Sequence, residues 1–392
     1  MTLNTVLHFM TLLSLLFYCG VLLCLIVGLR RVKFSRSDRK PFVSVIVAAR
    51  NEEQTVGRLL EGLTRQSYRS YEIIVVNDRS TDRTAEVISA FEKQHRNLRL
   101  VSVGPQSEMP AKKFALTKGI EVSRGEILCF TDADCIVPER WLEYLVASFE
   151  DNVGLVAGYS PYDSTLKQSP GRAGFLKTLL VAFIEYEEFK GAAWAAGSIG
   201  LRRGWLCTGR SLAYRRSVFE EVHGFELIKN SVSGDDDLFL QLVRKNTKWK
   251  IRYLTSPESQ VRTAPENTVR GFLRQRVRHF SAGRAFSPLL KLFFLLVHGA
   301  NLCLFTAFIL SLVSSNYSFG LWTFDVKILA DFALFAVAAS TFRQWKFAAS
   351  FLLMEILYIL YNTLVGPLGF FGRVGWKQEL NRILEPSVSR NQ

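Results

Sequence analysis

Three groups of carboxylates follow apolar runs in this chain, and each could serve a reaction centre. Thr131-Asp132-Ala133-Asp134 closes the run Gly125-Glu126-Ile127-Leu128-Cys129-Phe130. Two carboxylates spaced i, i+2 at a strand end can converge on one hard cation, and that cation can also bind the two phosphates of a nucleoside diphosphate. Departure of such a group develops negative charge, which a divalent ion and nearby basic groups stabilise. A solvated loop can carry the same pair with no role at all. The second group is Val75-Val76-Asn77-Asp78-Arg79-Ser80-Thr81-Asp82. Asp78 could accept a hydrogen bond from a base imide or a ribose hydroxyl. It could equally bond local backbone in a turn, with Ser80 or Thr81 capping the next helix. The third, Ser233-Gly234-Asp235-Asp236-Asp237-Leu238, sets mutually repelling carboxylates before a helical run. They either cap that helix or supply a general base that takes the proton of an acceptor hydroxyl. Finally, residues 270–284 hold Arg270, Arg274, Gln275, Arg276, Arg278, His279 and Arg284 and no acid. They suit a basic face beside a membrane, or bidentate bonds to phosphate oxygens.

The elements that must hold these groups are legible as alternating patterns. Buried-strand runs at 43–47, 72–76, 98–103 and 125–130 alternate with helical runs at 53–65, 82–95 and 112–122. This alternation predicts an α/β fold with a mostly parallel sheet covered on both faces. Functional residues are then expected just beyond the carboxyl ends of the strands. Arg50-Asn51-Glu52, Asn77-Asp78 and Asp132-Ala133-Asp134 all fall there. Residues 163–206 are less regular. A helix begins at 175–183, and 191–204 are rich in Ala, Gly and Trp. This stretch either packs on the domain or presents a lipid acceptor at a membrane face.

Hydrophobic residues make up 48% of the 392, and the excess sits in 6–29 and from about 288 onward. Residues 6–28 hold His8 as their only ionisable side chain and are long enough to cross a bilayer core. They lack the preceding basic residues and the cleavage site of a signal peptide, so an uncleaved anchor is expected. The basic block from Leu29 through Arg30, Arg31, Lys33, Arg36 and Arg39 to Lys40 should stay cytoplasmic, with the N-terminus outside. A net charge of +14 then suits anionic lipid headgroups better than nucleic acid, which is not expected as a partner. Further apolar spans lie at 289–313, 326–342 and 347–371, giving a C-terminal membrane domain over 288–372 with two to three spans. Three full crossings would put Arg373 and Lys377 outside, against the charge rule. Asp331 is costly at bilayer depth unless paired, so one of the last two spans is expected to be re-entrant or interfacial. Six cysteines show no CxxC pair and no zinc spacing, which suits a cytosol-facing catalytic domain.

Taken in order, the motifs are more specific than any one of them. Ala49-Arg50-Asn51-Glu52, Asn77-Asp78-Arg79-Ser80, Lys112 to Leu116, Asp132-Ala133-Asp134, Asp235-Asp236-Asp237-Leu238 and Gln275-Arg276-Val277-Arg278 resemble those of family 2 glycosyltransferases with a GT-A fold, over roughly residues 41–285. The resemblance implies that Asp78 contacts the nucleotide base, with Arg50 and Glu52 lining the same pocket, and that Lys112 lies near the donor. It implies that Asp132 faces ribose and diphosphate, that Asp134 with Asp132 holds Mg²⁺ or Mn²⁺, and that Gln275 and Arg278 bind the diphosphate. Asp235 matches the base of an E-D-x-D-L motif, with Asp236 as the alternative. Three positions depart from the family pattern: Gly234 for a glutamate, Asn77 for an aspartate, and His279 for the tryptophan of Q-x-x-R-W. The expectation is therefore an inverting hexosyltransferase, multi-pass in the cell inner membrane. It would move a sugar from a UDP-sugar or similar donor to a membrane lipid such as a glycerolipid, a sphingolipid-like lipid, a polyprenyl phosphate, a carotenoid or a sterol. The alternatives are a processive β-polysaccharide synthase and, outside catalysis, a nucleotide-sugar-binding scaffold.

Overall fold

The computed structural model describes residues 3–32, 36–104, 109–166, 174–314 and 318–371. Lys33, Arg373 and Lys377, which entered the charge argument, lie outside them. An N-terminal helix α1 (Leu3–Arg31) leads to the strand–helix alternation β1 (Val43–Ala49), α2 (Val56–Thr64), β2 (Tyr71–Asn77), α3 (Thr84–Gln94), β3 (Leu98–Ser102), α4 (Ala111–Val122) and β4 (Ile127–Phe130). Each expected strand and helix is present, with no end shifted by more than three residues. The strands β1, β2 and β4 are buried along nearly their whole length. Continuous rather than alternating apolar runs are what a sheet covered on both faces requires.

Past β4 the regular alternation stops. There follow β5 (Cys135–Ile136), α5 (Trp141–Ala147), β6 (Val153–Gly158), α6 (Phe175–Gly200), β7 (Leu212–Arg215), α7 (Arg216–Glu221), α8 (Asp237–Asn246), β8 (Lys250–Leu254), β9 (Arg262–Thr263) and α9 (Val269–Ser281). The seven-stranded sheet has the order β3-β2-β1-β4-β7-β6-β8, and β7 runs antiparallel to both its neighbours. Register pairs Ala49 with Asn77 and Ile46 with Phe130, so the carboxyl ends of β1, β2 and β4 open on one edge. The two loops there lock together: Asn51 adopts φ 54°, its Oδ1 accepts from the Thr81 N–H (2.8 Å), and its own N–H donates to Ser80 Oγ (3.1 Å).

Three long helices complete the chain, α10 (Pro288–Val313), α11 (Phe319–Phe342) and α12 (Phe351–Phe371). Among the described residues, Asn4–Arg31, Pro288–Val313 and Trp345–Gly366 are long and apolar enough to cross a membrane. Helix α1 packs against α6, α10 and α11. Its crossing with α6 is glycine on glycine, since a Cβ at Gly28 would come within 2.0 Å of Gly197 O and one at Gly200 within 2.0 Å of Gly28 O. Helix α6 also packs on β8, which makes it the bridge from the sheet to the long apolar helices. The expected cost of Asp331 is met by partners: Lys327 Nζ lies 2.7 Å away, Lys190 of α6 3.4 Å away, and the Tyr18 hydroxyl of α1 donates to it (2.9 Å). Lys190 is in turn paired with Glu355 of α12 (2.5 Å), to which Tyr186 also donates.

Candidate active site

Gly234 shapes the third carboxylate group. Its φ of +90° is open to glycine, and a Cβ there would meet Leu238 Cδ1 at 2.4 Å, so the glutamate of the family pattern has no room in this turn. The following three aspartates then separate. Asp236 is the N-cap of α8, accepting from the Asp237 N–H (2.7 Å) and from the Gly209 N–H (2.9 Å). Asp237 accepts from the Leu238 N–H (2.7 Å) in the first turn. Asp235 instead meets Lys112, Nζ to Oδ2 2.9 Å. The same ammonium lies 3.0 Å from Asp132 Oδ1, so Lys112 joins the turn after β4 to the turn before α8. Lys113 beside it is fully buried and donates to the carbonyls of Ser231 and Ser233 (2.9 Å to the latter), which pins the same loop from behind.

At the end of β2, Asp78 is almost wholly buried and receives the Arg79 guanidinium (2.8 Å) and, at 3.6 Å, that of Arg50. The Asn77 Oδ1 accepts from the Ser80 N–H (3.1 Å), so the departure at this position makes a turn. The Glu52 carboxylate accepts from Thr55 Oγ1 (2.7 Å), and the Gln275 Oε1 accepts, at 3.4 Å, from the Tyr162 hydroxyl. Arg50, Glu52, Asp78, Lys112, Asp132, Asp134, Asp235, Asp236, Gln275 and Arg278 all line one cavity of about 1570 Å³, whereas Arg270 and Arg284 of the basic run do not.

The field in this cavity splits the carboxyls. Burial alone would raise the Asp132 pKa, but Lys112, with Arg210 and Arg278 beyond, reverses that and holds it below the ordinary carboxylate range. Burial and the charge of Asp235 push Asp236 up, and burial with the charge of Asp236 pushes Asp237 well up. Among the described residues no three His, Cys, Asp or Glu side chains gather to hold a metal by themselves. Asp132 and the exposed Asp134 supply hard oxygen donors, and such a pair fits a cation whose other ligands come from phosphate and water.

Residues 44–222 match the family Glycosyl transferase family 2. The chain carries a family 2 glycosyltransferase domain. It is 27% identical over 248 residues to a probable glycosyltransferase, YdaM, of Bacillus subtilis, covering 61% of this chain and 54% of that one. It is also 27% identical over 223 residues to the beta-monoglucosyldiacylglycerol synthase of a Nostoc species, covering 56% and 44%. The chain thus spans about half the length of these relatives. A mannosyltransferase of Pyrobaculum calidifontis, solved in complex with GDP-Man and Mn²⁺, superposes over 91% of this chain and 99% of its own with a TM-score of 0.52 at 19% identity, which establishes a GT-A-like fold.

The structure adds three wall residues that the motif reading left out of the site, Glu187, Glu188 and Arg210. Helix α6 brings Glu187 and Glu188 to the cavity, and each meets a buried arginine: Glu187 pairs with Arg276 of α9, and Glu188 with Arg210 (2.8 Å). The signal was present as Glu185-Tyr186-Glu187-Glu188, an acidic run inside an otherwise apolar helix.

Proposed function

We propose that this glycosyltransferase moves a hexose, with inversion, from a UDP-sugar or a similar nucleotide sugar to the hydroxyl of a membrane lipid. The observation that carries this reading is the continuity of the cavity. Its wall runs from Asp132 and Asp235 to Leu292, Leu295 and Leu302 of α10 and to Ile359 and Thr363 of α12. From residue 291 to residue 302 a helix rises about 16 Å, the depth of one leaflet's acyl region. An acyl or prenyl chain lying there would bring its headgroup to the carboxylates.

In this reading Asp78, with Arg50 and Glu52 beside it, receives the base, while Gln275, Arg278 and Lys112 receive the diphosphate. Asp132 and Asp134 are the residues that would hold Mg²⁺ or Mn²⁺, which when bound would neutralise part of the diphosphate charge. Asp235 takes the proton of the acceptor hydroxyl as its oxygen attacks the anomeric carbon. The bond from that carbon to the diphosphate breaks in the same step, and the nucleoside diphosphate carries the electron pair away. Asp236 already bonds two backbone N–H groups and is assigned to capping. The active domain faces the cytosol, on the inner side of the cell membrane.

The test is incubation of membranes containing the chain with a panel of radiolabelled nucleotide sugars, followed by solvent extraction. Label in the lipid phase is expected, and Asp235→Asn should abolish it, by about 10²- to 10⁴-fold, while nucleotide binding is retained. Label in an insoluble polymer would instead identify a processive synthase.

A further inference from the structure

We propose that His279 is a catalytic residue: its neutral ring, through Nε2–H, donates a hydrogen bond to the β-phosphate oxygen on which negative charge develops as the sugar departs. This rests on the reading that Gln275 and Arg278 of the same helix receive the diphosphate. His279 is exposed on the cavity wall, next to Arg278 and one turn from Gln275. Its Nδ1 lies 3.4 Å from Nη1 of Arg276, one turn back along α9. A guanidinium only donates, so Nδ1 accepts and the one proton of the neutral ring sits on Nε2. The ring makes no other hydrogen bond among the described residues, which leaves Nε2–H for a substrate.

The surroundings keep the ring in this state. Arg276 is ion-paired with Glu187 and lies over the rings of Tyr162 and Phe272, 5.8 and 5.4 Å from their centroids. The Tyr361 hydroxyl donates, at 3.4 Å, to Oε1 of the same glutamate. Held on these sides, the guanidinium stays against Nδ1, and a second ring proton would have to enter facing that cation. Desolvation inside the cavity, then the charges of Arg276, Arg278, Arg210 and Lys112, hold the His279 pKa well below the usual histidine range. A neutral donor stabilises developing charge without a proton transfer. As the bond from the anomeric carbon to the phosphate oxygen breaks, its electron pair goes to that oxygen. The acceptor hydroxyl proton goes to Asp235, and His279 keeps its own. Arg276 and Glu187 act through the ring, as positioning residues.

Nitrogen NMR of the full chain in detergent, with its five histidines isotopically labelled, observes the ring directly, and the signal missing from His279→Gln is that of His279. At pH 7 the ring is expected to be neutral with its proton on Nε2, and Arg276→Met should let both tautomers appear. A protonated ring, or a proton on Nδ1, would overturn the proposal. Transfer kinetics in phosphatidylcholine vesicles, with the donor selected by the membrane panel, test the role. His279→Phe should lower kcat by about 10²-fold or more and leave the donor KM nearly unchanged, because the bond strengthens only as charge develops. His279→Gln, which keeps an N–H, should recover part of the loss. An unchanged kcat in His279→Phe, whatever the KM, removes His279 from catalysis. If Arg278→Ala binds UDP and GDP with Mg²⁺ as tightly as the parent, the diphosphate reading is refuted, and this proposal with it. If Arg278→Ala loses that binding while His279→Phe keeps its kcat, this proposal alone fails.

Discussion

Asp235, Asp236 and Asp237 are adjacent in sequence, yet one glycine conformation gives them three environments. Only Asp235 meets Lys112, while the other two bond the start of α8. The sequence showed three repelling charges before a helix and could not rank them, because the ranking follows from the +90° φ of Gly234. The raised pKa of Asp237 has a consequence for stability. Between its unfolded value, near 3.9, and its higher folded value, the folded state binds more protons than the unfolded state. Stability therefore falls as pH rises through that window. In Asp237→Asn the uncharged oxygen still accepts from the Leu238 N–H, and the penalty is gone. The variant should unfold at a higher temperature than the parent at pH 7, with the difference shrinking to nothing as pH falls to about 4. Thermal unfolding in detergent across that range measures it, and a difference independent of pH would contradict the assignment.

At the scale of elements, the strands that carry Arg50, Asp78 and Asp132 were legible because each is a buried apolar run ending in polar residues. The strand β7 was not. Its four residues, Leu212 to Arg215, are too few for a period, and it is fixed by pairing with β4 and β6 on either side. Helix α6 was legible as a helix, with acceptor presentation left as one of two alternatives, but its pairs with Arg210 and Arg276 were not, because they join residues distant in sequence. Lys190 lies between Glu355 and Asp331, and Lys327 closes the same group, so two cations balance two carboxylates among α6, α11 and α12. This arrangement aligns α6 and with it Glu187. Lys190→Met should leave an uncompensated buried carboxylate and destabilise the chain by about 3–5 kcal/mol. Thermal unfolding would show the loss, and adding Glu355→Gln should restore part of it. A single variant as stable as the parent would mean that the group does not hold these helices.

For the whole molecule, the open question in the sequence was which late helix fails to cross. Composition favours α12 over α11 as a span, since α11 carries Asp325, Lys327 and Asp331. The packing argues the reverse. Helix α10 leaves the catalytic domain at Pro288, and α11 returns to it at Phe342, whose carbonyl accepts from Gln260 Nε2 (3.2 Å) and whose ring meets Tyr159 at 4.5 Å. Lys346, just beyond, pairs with Glu185 of α6 (2.7 Å). A helix crossing the bilayer from there should lose the catalytic domain within a few turns. Instead Tyr361, ten residues into α12, still meets Phe272 and Phe280 of α9, with ring centroids 5.7 and 5.9 Å away. Leu360, Leu364 and Leu368 lie exposed at intervals of one turn, an apolar stripe suited to lying in the membrane face. On this packing we propose that α1, α10 and α11 cross, the charges of α11 being met inside the bundle, and that α12 lies along the cytoplasmic interface. That proposal agrees with the charge rule as it applies to Arg373 and Lys377 in the sequence. In intact cells a membrane-impermeant maleimide should modify Ser314→Cys above the background of the native cysteines. Arg343→Cys should react only after lysis, and a protease-sensitive reporter after Gln392 should stay intact until the membrane is opened. Cleavage of that reporter from outside would show that α12 crosses after all.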